Sequence, residues 1–165
     1  MQFAQTAIRS VLAFTFAAGA AGALAADAAS DARPMAKNLI DQKFEPFPGT
    51  PACMKGAVLA GDPGKGPSLL MAKFSSGCVV PWHWHTPDEH LMFASGVGKV
   101  EMKDGKPVTI RSGAYALMPS HHVHQFTCIS GCVMFVRSDG VFDTHYVDAS
   151  GKEITPEEAL KAKKK

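Results

Sequence analysis

The sequence predicts an all-β fold, and three observations carry that reading. Turn-forming tracts recur at short intervals from "GDPGKG" (61–66) to "DASGK" (148–152), the stretches between them are short and rich in Val, Phe, Leu and Met, and helix signals are confined to the final "TPEEALKAKKK". Many short strands punctuated in this way indicate a sandwich or barrel. The sharpest single turn signal is "KDGK" (103–106), whose Asp-Gly pair suits a two-residue type I′ hairpin.

The chain opens "MQFAQTAIRS", in which Arg9 is the one charged side chain, and continues "VLAFTFAAGAAGALAAD", ending in Ala23-Leu24-Ala25. A positive start, an apolar stretch and a small-x-small site in that order describe a secretory leader over 1–25, cut after Ala25 or Ala26. A transmembrane anchor is the alternative, but a run of about 16 apolar residues without a charged flank is short for a span. A periplasmic or secreted protein is therefore expected, with no stable membrane anchor after cleavage. Without a twin arginine, export as an unfolded chain is expected.

About 140 residues then remain, enough for one domain. Losing Arg9 lowers the formal charge from +2 to +1, so no nucleic-acid partner is expected. Residues 26–50, with Pro34, Pro46 and Pro48 and no sustained period, read as an extended arm holding at most one short strand or turn. Strands are expected over 67–74, 79–85, 89–94, 97–103, 107–111, 114–118, 123–128, 132–137 and 141–147, within a barrel over 51–150. In 151–165, Thr155 serves as N-cap and Pro156 as first helical residue, with Glu157 and Glu158 near the positive end and lysines near the negative one. The Lys163-Lys164-Lys165 tail is read as a solvated end.

Four cysteines, Cys53, Cys78, Cys128 and Cys132, read first as disulfides in an exported chain, with three possible connectivities. "CISGC" resembles a three-residue hairpin loop with Gly131 available for positive φ, which favours Cys128–Cys132 and leaves Cys53–Cys78. A free Cys128 thiolate is the alternative.

The densest chemistry lies in "PWHWHTPDEH" (81–90). Side chains two apart on a strand share a face, so His83 and His85 point together. Glu89 opens the next element, and His124 in "VHQFTC" supplies the best further ligand. Imidazoles with one carboxylate suit first-row transition metals. The frame is more specific than the pair: Gly77, His83, His85, Glu89 and Gly96 fit G-x5-H-x-H-x3-E-x6-G. Gly113, Pro119 and His124 fit G-x5-P-x-G-x2-H-x3-N, with His121 in place of the glycine and Cys128 in place of the asparagine. These two patterns, 16 residues apart, resemble the paired signatures of the cupin family over roughly 55–140.

That resemblance implies a six-to-eight-stranded jelly-roll barrel with one divalent transition metal ion inside its mouth, held by His83, His85, Glu89 and His124 with one or two positions open. Family habit favours Fe²⁺, Mn²⁺ or Ni²⁺, whereas the affinity order outside the cytoplasm favours Cu²⁺ and Zn²⁺. The functions implied are a metal-dependent enzyme of oxygenase type acting on a small molecule or, alternatively, a non-catalytic metal or small-ligand binding or sensing module. His121 and His122, at the mouth, are the candidates for proton transfer near neutral pH. His90 is expected to face away from Glu89, and His145 to be structural. Trp82 and Trp84 flank the ligands on the opposite face, for packing or a homodimer contact. Phe93, Met118, Phe126 and Met134 are read as core, with pocket lining as the alternative. The spacings exclude a classical-type zinc finger, and glycine-framed ligands disfavour a Met/His copper chaperone.

Overall fold

Short apolar runs bounded by turn residues become eleven strands in the computed structural model, which describes residues 35–161. The expected leader (1–25), the first part of the arm and the end of the basic tail lie outside the described residues. The strands are β1 (Met54–Gly61), β2 (Ser68–Phe74), β3 (Val79–Trp84), β4 (Glu89–Ser95), β5 (Val97–Met102), β6 (Val108–Arg111), β7 (Tyr115–Met118), β8 (His124–Cys128), β9 (Cys132–Ser138), β10 (His145–Val147) and β11 (Glu153–Ile154). One sheet runs β1-β2-β9-β4-β7 and the other β11-β10-β3-β8-β5-β6, with antiparallel pairing throughout. This is the expected all-β jelly roll, but with eleven strands among the described residues where six to eight were expected.

The two sheets face each other across a core that includes Leu70, Phe74, Phe93, Phe126, Met134 and Val136. Period-two alternation produces it: in β4 Glu89, Leu91 and Phe93 are buried while His90 and Met92 are half-exposed. Strand β1, "MKGAVLAG", was not expected, because its small residues carry little intrinsic strand preference. Its seven paired positions with β2 hold it in the sheet. The arm also contributes, since Glu45 bridges Gly56 and Phe47 packs on the core. Gly56 is required there: a Cβ would lie 2.0 Å from Phe47 Cε2.

Two turn expectations need correction. The β5–β6 connection spans Lys103–Pro107 rather than two residues. Pro107 has no N–H to give the ladder, so pairing stops at Val100–Val108. The loop in "CISGC" does hold three residues, with Gly131 at φ 68°. It is nevertheless no hairpin, because β8 and β9 belong to different sheets. The expected strand over 141–147 is reduced to β10, its first half being a loop.

Both favoured disulfides are present, Cys53–Cys78 and Cys128–Cys132, so the free-thiolate alternative falls. They meet at one place: the Cys128 N–H donates to Cys78 O at 2.8 Å and Gly77 N–H to Cys128 O at 2.8 Å. A closing helix, α1 (Pro156–Lys161), starts from a capping box. The Glu158 N–H donates to Thr155 Oγ1 at 3.2 Å and the Thr155 N–H to Glu158 Oε2 at 2.9 Å. Among the described residues no helix is long and apolar enough to cross a membrane.

Candidate metal centre

Cross-strand register brings the four expected ligands together from both sheets. His83 on β3 pairs directly with His124 on β8, and with Tyr146 on β10. His85 follows two residues after His83, so it emerges on the same inward face. Glu89 comes from the opposite sheet, where it pairs with Met118 and Ser138. All four are buried. His83, His85 and His124 can each offer a ring nitrogen within 4.8 Å of the others, so the triad could hold a metal ion. Glu89 Oε2 lies 3.5 Å from His85 Nε2 and 3.3 Å from His124 Nε2.

The orientation of the rings is set by the main chain. His83 Nδ1 lies 2.6 Å from Pro81 O, His85 Nδ1 2.5 Å from Asp143 O, and His124 Nδ1 2.9 Å from His122 O. A carbonyl can only accept, so each Nδ1 is the donor and carries the proton. In a neutral imidazole that leaves Nε2 as a bare lone pair. Three lone pairs and a carboxylate thus converge with no donor between them, and His85 Nε2 is buried without a hydrogen-bond partner. Such a cluster is satisfied by a cation, the arrangement found where ligating histidines are fixed through their other nitrogen.

The electrostatics agree. Burial, reinforced by His124 and His85, holds His83 well below its ordinary range and so neutral. Burial alone would raise Glu89, but His85 and His124 outweigh it and hold the carboxyl well below the usual carboxylate range. For His85 burial pulls downward, and the Glu89 carboxylate overcomes it and draws the ring upward. A proton is thereby attracted to the same point as a metal ion, and the two compete.

The four ligand candidates border a cavity of about 60 Å³, where one water needs ~10–15 Å³. Its wall is otherwise apolar, including Phe47, Leu91, Val100, Met118, Phe126, Met134 and Phe142, with Thr50, Thr144 and Tyr146 the further polar side chains. Met118, Phe126 and Met134 therefore serve as both core and lining, while Phe93 is core and not lining. Tyr146 donates to Gly49 O at 2.9 Å, and burial pushes its phenol up to about 12.

His121 and His122 are not part of this wall. They sit in a β-turn closed by the His122 N–H to Pro119 O at 2.9 Å. His121 is the third residue of that turn and has φ 60°, the left-handed conformation for which glycine is ordinarily used. This is the position where the second signature has its glycine. The His121 ring turns outward and stacks on Trp84, with centroids 4.5 Å apart, while His145 stacks on Trp84 at 3.9 Å. Trp84 is thus sandwiched within its own chain. His122 contributes a carbonyl rather than its ring.

His90 faces away as expected, contacting Tyr115 Oη and Asp139. His145 does have partners, Asp143 Oδ2 at 3.2 Å from the loop before β10 and Glu153 Oε1 at 2.8 Å from β11. Carboxylates facing both nitrogens favour the protonated form of this ring, which lies flat on Trp84. Sequence reasoning missed the part of Asp143, whose carbonyl orients His85. It also missed Phe47, Phe142, Thr144 and Tyr146 as cavity wall. Main-chain carbonyls leave no mark in a sequence, and lone aromatics in irregular segments look like ordinary packing.

Barrel, framed ligands and inward-facing imidazoles define a cupin, and residues 70–136 match the cupin domain family. That segment is a cupin domain. Its fold is similar to that of the polyketide cyclase RemF from Streptomyces resistomycificus (TM-score 0.58, 18% identity, 69% of this chain and 87% of that one). It is also similar to an RmlC-like cupin from Shewanella frigidimarina (0.53, 17%, 62% and 87%) and to KdgF from Halomonas sp. (0.52, 18%, 62% and 92%). No curated protein matches the chain by sequence. At these identities the likeness is one of fold.

Proposed function

We propose that this chain is an exported, metal-dependent cupin enzyme of oxygenase type acting on a small molecule, with His83, His85, Glu89 and His124 as the ligands. The observation that supports it most is the commitment of all three Nδ1 atoms to backbone carbonyls, which directs three bare Nε2 atoms and a carboxylate at one point. An ion there would orient the substrate and supply either oxygen activation or Lewis-acid polarisation. The chain's own part is to fix the ligand tautomers, leave coordination positions open and surround the reacting group with apolar wall. The two disulfides support an oxidising compartment.

Purified protein should hold close to one divalent ion per chain, and His124→Ala should lose most of it by elemental analysis. Undiminished metal in that variant removes His124 from the ligand set. Anaerobic Fe²⁺ loading followed by oxygen-consumption assays across thiols, phenols, diketones and organic acids tests the reaction, and His83→Ala should abolish any turnover found.

A second reading, a metal or small-ligand binding module, is favoured by one specific feature. Apart from the four ligand candidates, Tyr146 is the single titratable side chain on the wall among the described residues, and its phenol stays protonated at neutral pH. The proton transfer expected of His121 and His122 has no support in this geometry. If no metal form turns over any substrate while a small ligand still binds at the ion, the binding reading stands.

A further inference from the structure

The inner cavity does not end at the metal ligands. Phe47, Thr50, Met54, Leu70, Phe142 and Thr144 line both it and a larger outer pocket of about 340 Å³, which continues toward Pro48, Pro63 and Pro156. Phe142 stands at the junction, stacked on the His85 ring with centroids 4.6 Å apart.

The polar inventory along this route is short. Among the described residues no lysine or arginine lines either space, and Asp143 at the outer pocket is the one charged residue on the path besides Glu89. The Asp143 carboxylate is already engaged, accepting from the Thr86 N–H at 2.8 Å and facing His145. The hydroxyls are largely committed as well. Thr50 Oγ1 donates to Phe47 O at 2.8 Å and Tyr146 Oη to Gly49 O. Among the described residues Thr144 is the one side-chain hydroxyl on the path without such a bond.

We infer that the open side of the metal centre takes a small monoanion with an apolar body, such as a short-chain acid or an acidic enol, and rejects dianions and polyols. The inference rests on the metal reading above. A divalent ion with one carboxylate and three neutral imidazoles keeps a single positive charge, which one anionic oxygen group of the ligand neutralises. A second anionic group would meet apolar wall and the Asp143 carboxylate, with no cation to pair with. Ligand hydroxyls would give up their bonds to water and find too few partners on the wall. An alkyl or aryl body instead displaces water from Phe47, Leu70 and Phe142.

The test uses the full mature protein loaded with Co²⁺, whose visible absorption reports ligand exchange at the ion without requiring turnover. Butyrate, succinate and gluconate are titrated in turn. Butyrate is expected to perturb the spectrum with a Kd at least tenfold below those of succinate and gluconate. Thr144→Lys places a cation at the junction and should tighten succinate at least tenfold. Succinate or gluconate equal to or tighter than butyrate on the unmodified protein, or no response to any of the three, overturns the inference. Failure to take up cobalt at all is the separate failure of the metal reading, on which the inference depends.

Discussion

Opening the two disulfides separately should cost unequal amounts, and the loops they close set the difference. Cys53 and Cys78 are 25 residues apart, whereas Cys128 and Cys132 are 4 apart. With loop-closure entropy scaling as the logarithm of loop length, the longer bridge is worth about 3.5 kcal/mol at 25 °C and the shorter about 1.9 kcal/mol. Two single-bridge proteins isolate the terms: Cys128→Ala with Cys132→Ala, and Cys53→Ala with Cys78→Ala. Each is unfolded in urea with and without reductant, so that the packed sulfur volume is the same in both arms. At a slope of about 2 kcal/mol/M, reduction should lower the midpoint by roughly 1.7 M for Cys53–Cys78 and roughly 1 M for Cys128–Cys132. Equal losses, or the reverse order, would refute the assignment of the stabilisation to chain entropy.

Other substitutions test the packing and the charges. Gly98→Ala would put a Cβ 2.6 Å from Phe126 Cε2 in the buried core, costing about 1–3 kcal/mol in chemical denaturation; a loss under about 0.5 kcal/mol would show that the ring moves freely. His121→Gly should be close to neutral in stability, since it relieves the φ of 60° while losing the stack on Trp84. His121→Val should cost about 1–2 kcal/mol, and equal stability of the two variants would contradict the turn argument. Burial pulls the His145 pKa down, but Glu153 and Asp143 outweigh it and raise the ring above its ordinary value. Its contribution to stability is therefore complete below the unfolded value of about 6.5 and fades as pH rises through the raised folded value. An NMR titration of His145 should show that rise and its reduction in Asp143→Asn; an unchanged midpoint would sink the pairing.

The strand ladder and the four inward ligand candidates were legible because both are written in spacing. H-x-H obliges a shared strand face, and turn residues mark where chains reverse. What the sequence leaves out depends on partners. Strand β1 exists through its pairing with β2 and not through its own residues. The "CISGC" loop has hairpin length, yet the sheet to which each flanking strand belongs is decided by distant pairings. His121 and His122 sit beside a ligand candidate in sequence, but a positive φ turns the first outward and the second offers its carbonyl. Proximity along the chain was a poor guide to proximity in the cavity, because the opposite wall comes from residues 47–56 and 142–146.

That carbonyls hold the imidazoles has a consequence for how this centre can change over generations. Pro81, His122 and Asp143 orient the rings through atoms that every amino acid possesses. Replacing any of their side chains leaves the acceptor in place, and a carbonyl does not titrate, so the partner that fixes each Nδ1–H is the same at every pH. Ligand geometry is thereby uncoupled from side-chain drift at those neighbours. Variation is free to act on the apolar wall instead, where exchanging Phe47, Phe142 or Thr144 reshapes the space before the imidazoles without disturbing the atoms that would bind an ion.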